Sequence, residues 1–269
     1  MHMKRWVSVL LATIMLLIVA STGLFALAKS YVAPFNSYSA PVVYANPGVQ
    51  VQAGSDQIPR VSNVQISYMP TLQFSYASWA LADPSSKDAG RAYRVVSEEL
   101  AKYDSSAITS TGLKKIYLVN SLYVDGTYRS GMPEAQFEDA LYFDIDAKYF
   151  TSENGDYMRR TIHHELRHLA DYNLYKSYRP QDSAWLQCNT GPTGYINSIE
   201  SMYKDPTYAH ASHPKTGFIN GYATSGIDED RAEVFAYYMT DRNYLYSQAS
   251  DDASLSCKVA QTEQLLSRL

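Results

Sequence analysis

At 269 residues, 46% of them hydrophobic, the chain is long enough to bury a core of its own. Its formal charge of −4 lacks the basic excess that phosphate-driven nucleic-acid binding requires. Cys188 and Cys257 stand outside any CxxC or Cys/His grouping, which speaks against a cysteine-based metal site; in oxidising surroundings they could pair.

The chain opens with Lys4 and Arg5 ahead of an apolar run from Trp6 to Ala20. Ala26-Leu27-Ala28 then reads as a signal-peptidase site before Lys29, so residues 1–28 are expected to be a signal peptide. The same stretch would also serve as a retained membrane anchor, since about 20 residues span a bilayer. On either reading the remainder lies outside the cell, secreted or held at the outer face of the membrane. Residues 29–60, rich in Tyr, Ser, Ala, Pro, Asn and Gly and nearly free of charge, are expected to be a flexible linker. Residues 61–269 are expected to form one domain.

Within it, Ala92, Val95, Val96 and Leu100 recur at helical spacing and predict a helix over 88–103. The β-branched and aromatic run KIYLVNSLYV predicts a strand over 115–124, closed by Asp125-Gly126, and ALYFDI predicts another over 140–145. A long helix is expected over 154–175, a loop-rich stretch over 179–226, and a second helix over 228–240. This order implies an α+β fold. The 24 tyrosines fit a half-wet surface rather than a special site.

The long helix contains His163-His164-Glu165-Leu166-Arg167-His168, a single HExxH. His163 would need its partner at 167, which is Arg, so only His164 and His168 qualify. Positions i and i+4 share one helix face, so two imidazoles reach one ion from one rigid element. Glu165 is then placed to act as general base on a water held by that ion. Zinc needs a third protein ligand and an open position. Position 174 is Leu, which removes one known source of a third histidine. His210 and His213 lie in a loop, a poor support for a primary ligand. Glu229 is the stronger candidate: positions 229, 232, 233 and 236 share a helix face on which small alanines permit close approach. On that face Glu233, one turn on, can accept an imidazole N–H and orient it.

These two segments, His164 to Tyr172 and Gly221-Tyr222 through Phe235, resemble the anthrax lethal-factor type of metallopeptidase, which includes secreted bacterial Pro-Pro endopeptidases. The similarity covers about residues 155–240, with a weaker trace back to about 110. It implies a zincin-like domain with an HExxH helix and a second, Glu-bearing helix. It also implies one catalytic zinc on His164, His168 and Glu229, Glu165 as base, and a protein or peptide substrate. The family's tyrosine seven residues before its glutamate ligand corresponds to Tyr222, which implies an oxyanion stabiliser there. Arg167 stands where the family usually has Gly, a departure that bears on local packing. Asp171 shares the histidines' helix face and is expected to support them. Two other readings are a non-catalytic binding module on a peptidase fold and a zinc amidase acting on a non-protein amide.

Overall fold

The structure, a computed structural model, describes residues 60–61, 63–146, 155–189, 194–196 and 206–267. The expected signal peptide and nearly all of the expected linker lie outside the described residues. Among the described residues no helix is long and apolar enough to cross a membrane.

A mixed sheet forms the frame. Its strands are β1 (Arg60–Val61), β2 (Val64–Ser67), β3 (Ala77–Leu81), β4 (Lys115–Val124), β5 (Thr127–Tyr128), β6 (Gly131–Glu134) and β7 (Ala140–Asp144). The path runs β1-β2-β4-β7-β6, with β3 and β5 pairing the far half of β4. The near half of β4 lies parallel to β2 and to β7, whereas β6 closes the sheet antiparallel to β7. Because β4 is covered on both faces, it reads as a continuous apolar run rather than an alternating one. Ile116 and Leu118 face the helices, while Tyr117 and Val119 face an aromatic layer containing Phe74 and Tyr142.

The helical face carries α1 (Lys87–Leu100), α2 (Ser105–Thr111) and α3 (Gly155–Tyr175). Ser86 and Asp104 cap the first two by accepting the backbone N–H groups of Ala89 and Ala107. Gly112 ends α2 at φ +82°, a conformation that favours glycine. It also leaves room for Asn173 of α3, whose Nδ2 donates to Thr111 O at 2.9 Å. Met158, Ile162, Leu166 and Leu169 of α3 are fully buried against the sheet, each adding about 1.5–3 kcal/mol by leaving water.

The expected loop over 179–226 holds more order than its composition indicated. It contains α4 (Ser183–Gln187), α5 (Pro206–Ala209), the hairpin β8 (Ser212–Lys215) and β9 (Phe218–Asn220), and a 3-10 turn over Tyr222–Ser225. Beyond it run α6 (Ile227–Thr240), α7 (Arg242–Ala249) and α8 (Ala253–Leu266). Trp185, Phe218, Val234, Leu245 and Leu255 build a second apolar cluster there. Cys188 and Cys257 are bonded across it with Cα atoms 5.5 Å apart, so the two thiols do pair. The α+β class expected from element order is the one observed.

Candidate metal centre

The centre lies where α3 meets α6. From Thr161 to Leu169, α3 is buried on every side, which makes unpartnered polar side chains there costly. Its histidines are sorted by direction. His163 turns toward α1, with Nε2 2.7 Å from Glu99 Oε2 and Nδ1 2.6 Å from the Tyr103 hydroxyl. Burial pulls the His163 pKa down despite the Glu99 carboxylate. A neutral ring then donates from Nε2 to Glu99 and accepts the Tyr103 O–H at Nδ1. This agrees with leaving His163 out of the metal site.

His164 and His168 turn the other way, toward α6. Their Nε2 atoms are 3.0 Å apart and lie 3.0 and 3.3 Å from Glu229 Oε2. Among the described residues, His164, His168 and Glu229 form a group of side chains able to hold a metal ion. Two imidazole nitrogens and a carboxylate oxygen suit zinc, whose bonds to such ligands are about 2.0–2.1 Å. Ligands at that bond length on a tetrahedron stand about 3.3 Å apart, close to the three separations found. The donor set and its spacing therefore fit the ion.

The electrostatics agree. Burial alone would lower the pKa of both histidines, but Glu229 raises them, aided at His164 by Glu233. Burial would raise Glu229, yet the two imidazoles hold it well below the usual carboxylate range. Each group thus favours its charged form, an arrangement suited to receiving positive charge between the carboxylate and the two rings.

Glu233 aims Oε1 at His164 Nδ1 from 2.8 Å. Nδ1 has no hydrogen-bond partner, so Glu233 acts on the ring through its charge. Asn220 steadies the other Glu233 oxygen with a 2.6 Å hydrogen bond from Nδ2. Tyr222 directs its hydroxyl to Glu229 Oε1 at 3.3 Å, and its ring lies 5.9 Å from that of His164. Burial, reinforced by the Glu229 charge, raises its pKa well above that of a free phenol, so it stays protonated. Gly221 just before it has no room for a side chain, because a Cβ there would meet Tyr208 O at 1.7 Å.

Glu165 is raised above the ordinary carboxylate pKa by burial, against the pull of His164 and His168. Arg129, beside β6, acts on both Glu165 and Tyr222 through its charge. His164, Glu165 and His168 are each 8% exposed and Glu229 9%, so the cluster opens to solvent only narrowly.

Asp171 departs from its expected role. Its carboxylate is taken by Arg231, which donates from Nε and Nη2 at 2.8 and 2.9 Å, and by Arg167 at 3.0 Å. It therefore ties α3 to α6 rather than supporting an imidazole. Arg167 lies against Phe235, 5.8 Å from the ring centroid. The weighed alternatives stand elsewhere: His213 bonds Phe218 O at 2.9 Å inside the β8–β9 hairpin, and His210 is not part of the cluster. Asn220, Gly131 and Arg129 had no sequence signal, because nothing local marks them. A depression lined by Asn120, Asp144 and Asp146 shares no residue with the centre.

No protein-family model and no curated protein matches this chain. A solved structure from Bacteroides caccae, described as a "putative zinc-binding metallo-peptidase", is 17% identical over 77% of this chain and 78% of that one. Its TM-score to this chain is 0.45.

Proposed function

We propose that the chain is an exported zinc metallopeptidase of the lethal-factor-like type, cleaving peptide bonds in proteins or peptides outside the cell. The observation that carries this reading is the convergence of His164, His168 and Glu229 within hydrogen-bond distances, with Glu165 on the next helical position after His164. The reading of export rests on the N-terminal sequence.

A bound zinc ion supplies a Lewis acid and a lowered pKa for water. Glu165, its pKa lifted by burial, takes the proton of the attacking water and returns it to the departing amine. Tyr222, held protonated, leaves Glu229 Oε1 to donate its O–H to the oxyanion. Glu233, steadied by Asn220, holds the His164 ring in direction.

The test is cleavage of a mixed peptide library by the segment from Lys29 onward, with products mapped by mass spectrometry. Cleavage that stops with a chelator and returns with zinc is the expected result. Glu165→Gln should keep zinc while turnover falls about 10²–10⁴-fold. Zinc lost with that substitution would refute the role of Glu165. Zinc bound without peptide cleavage would instead point to the binding module or to an amidase.

A further inference from the structure

Behind the metal centre, Asp230 and Lys258 meet in full burial, both 0% exposed. Asp230 follows the ligand Glu229 on α6, and Lys258 follows the disulfide residue Cys257 on α8. The two oxygens of Asp230 are treated unequally. Oδ2 receives Lys258 Nζ at 2.7 Å, Trp185 Nε1–H at 2.9 Å and the Tyr195 hydroxyl at 2.8 Å. Oδ1 is buried with no hydrogen-bond partner. Lys258 Nζ also donates to Gly217 O at 2.5 Å and lies 4.1 Å from the Phe218 ring centroid and 6.0 Å from that of Trp185.

An enduring ion pair fits this arrangement poorly. A buried carboxylate with one oxygen bonded three times and the other bare bears an unsatisfied charged acceptor. An amide fits every atom. The unpartnered Oδ1 is the oxygen that condensation removes. Oδ2 remains as a carbonyl accepting from Trp185 and Tyr195, and the surviving N–H keeps its bond to Gly217 O.

We propose that Lys258 and Asp230 condense into an intramolecular isopeptide bond that joins α8 to α6. Lys258 passes one proton to the Asp230 carboxyl, where it comes to rest on Oδ1, and its nitrogen lone pair attacks Cγ while the C–Oδ2 π pair moves onto Oδ2. The Trp185 N–H and the Tyr195 O–H stabilise the charge that gathers on Oδ2. The C–Oδ1 bond then breaks as Oδ2 re-forms its double bond to Cγ, and Oδ1 departs as water with the first proton and a second one given up by the nitrogen. One C–N bond replaces one C–O bond, with no oxidant or co-reactant. Burial among aromatic rings lowers the Lys258 pKa, which favours the free amine the attack requires. The fold holds nitrogen and carboxyl together before reaction, as such a condensation needs.

The experiment is mass spectrometry of the full chain after denaturation, disulfide reduction and alkylation, followed by trypsin. A protein one water lighter than its sequence is expected. Peptide 216–231 should be joined to 243–268, uncut after Lys258. Lys258→Met should restore the missing water. Separate peptides with normal cleavage after Lys258 would overturn the proposal. So would a lost water without the joined peptide, as a succinimide elsewhere would give.

Discussion

Glu165 is held from behind by the lack of a side chain at position 131. A Cβ on Gly131 would come within 2.8 Å of Glu165 Cγ, and within 3.0 Å of both its Oε1 and Thr161 Cγ2. The φ angle of Gly131 is not in the left-handed region, so space rather than backbone freedom is what requires glycine there. Gly131→Ala must therefore move the carboxylate, and displacement of about 1 Å costs roughly 10²-fold in rate. The candidate ligands are other residues, so zinc content should not change. Steady-state kinetics alongside metal analysis checks this, and wild-type turnover in the variant would show that Glu165 is not positioned by that wall. Arg167 makes a related point. Its buried cation is accommodated because Asp171 and the Phe235 ring receive it.

Three consecutive charged residues of α6 are buried, each turned to a different neighbour. Glu229 faces the histidines of α3, Asp230 faces Lys258 of α8, and Arg231 reaches back to Asp171 of α3 and to Asp182 at the start of α4. Arg231 lies between the rings of Tyr175 and Trp185, 5.3 Å from each centroid. Its fork on Asp171 spans the gap between the helices that bear the candidate ligands, so it sets how far Glu229 stands from the histidines. Lysine cannot reproduce two parallel hydrogen bonds. Arg231→Lys should cost about 2 kcal/mol, the scale of one hydrogen bond to a charged group. It should also weaken zinc binding. Urea unfolding of the metal-free protein and a competitive zinc titration give the two quantities separately. Unchanged zinc affinity beside lost stability would show that the clamp holds the helices without placing the ligands.

On the scale of the whole molecule, acid stability has an identifiable source at Glu99. Burial would raise its pKa, but His163, Lys102 and Arg159 bring it down to about 2 from 4.5. A depressed folded-state pKa stabilises above the unfolded value and is lost as pH falls through the folded one. The Glu99 contribution, at most about 3 kcal/mol from a shift of that size, is therefore present above about pH 4.5 and disappears toward about pH 2. Melting curves of wild type and Glu99→Gln in metal-free protein should converge across that window; a gap that stays constant would remove Glu99 as the cause. The same molecule shows which features were legible in its amino acids. The long helix, the strand over 115–124 and the choice of His164 over His163 were readable, because each depends on residues a few positions apart whose geometry a single element dictates. β6 was not, since Pro133 argues against a strand and is tolerated only because β6 ends the sheet. The helices α7 and α8 had only their capping residues, Asp241 and Asp252, as local signals. The pairing of Asp171 with Arg231 had no local signal, because the two lie 60 residues apart. By itself, then, the sequence determined the i, i+4 histidine pair, the glutamate beside it and the face bearing Glu229. Only the tertiary structure decided which charge meets which, since burial forces each ionised group to find a partner and the fold alone sets which one is near.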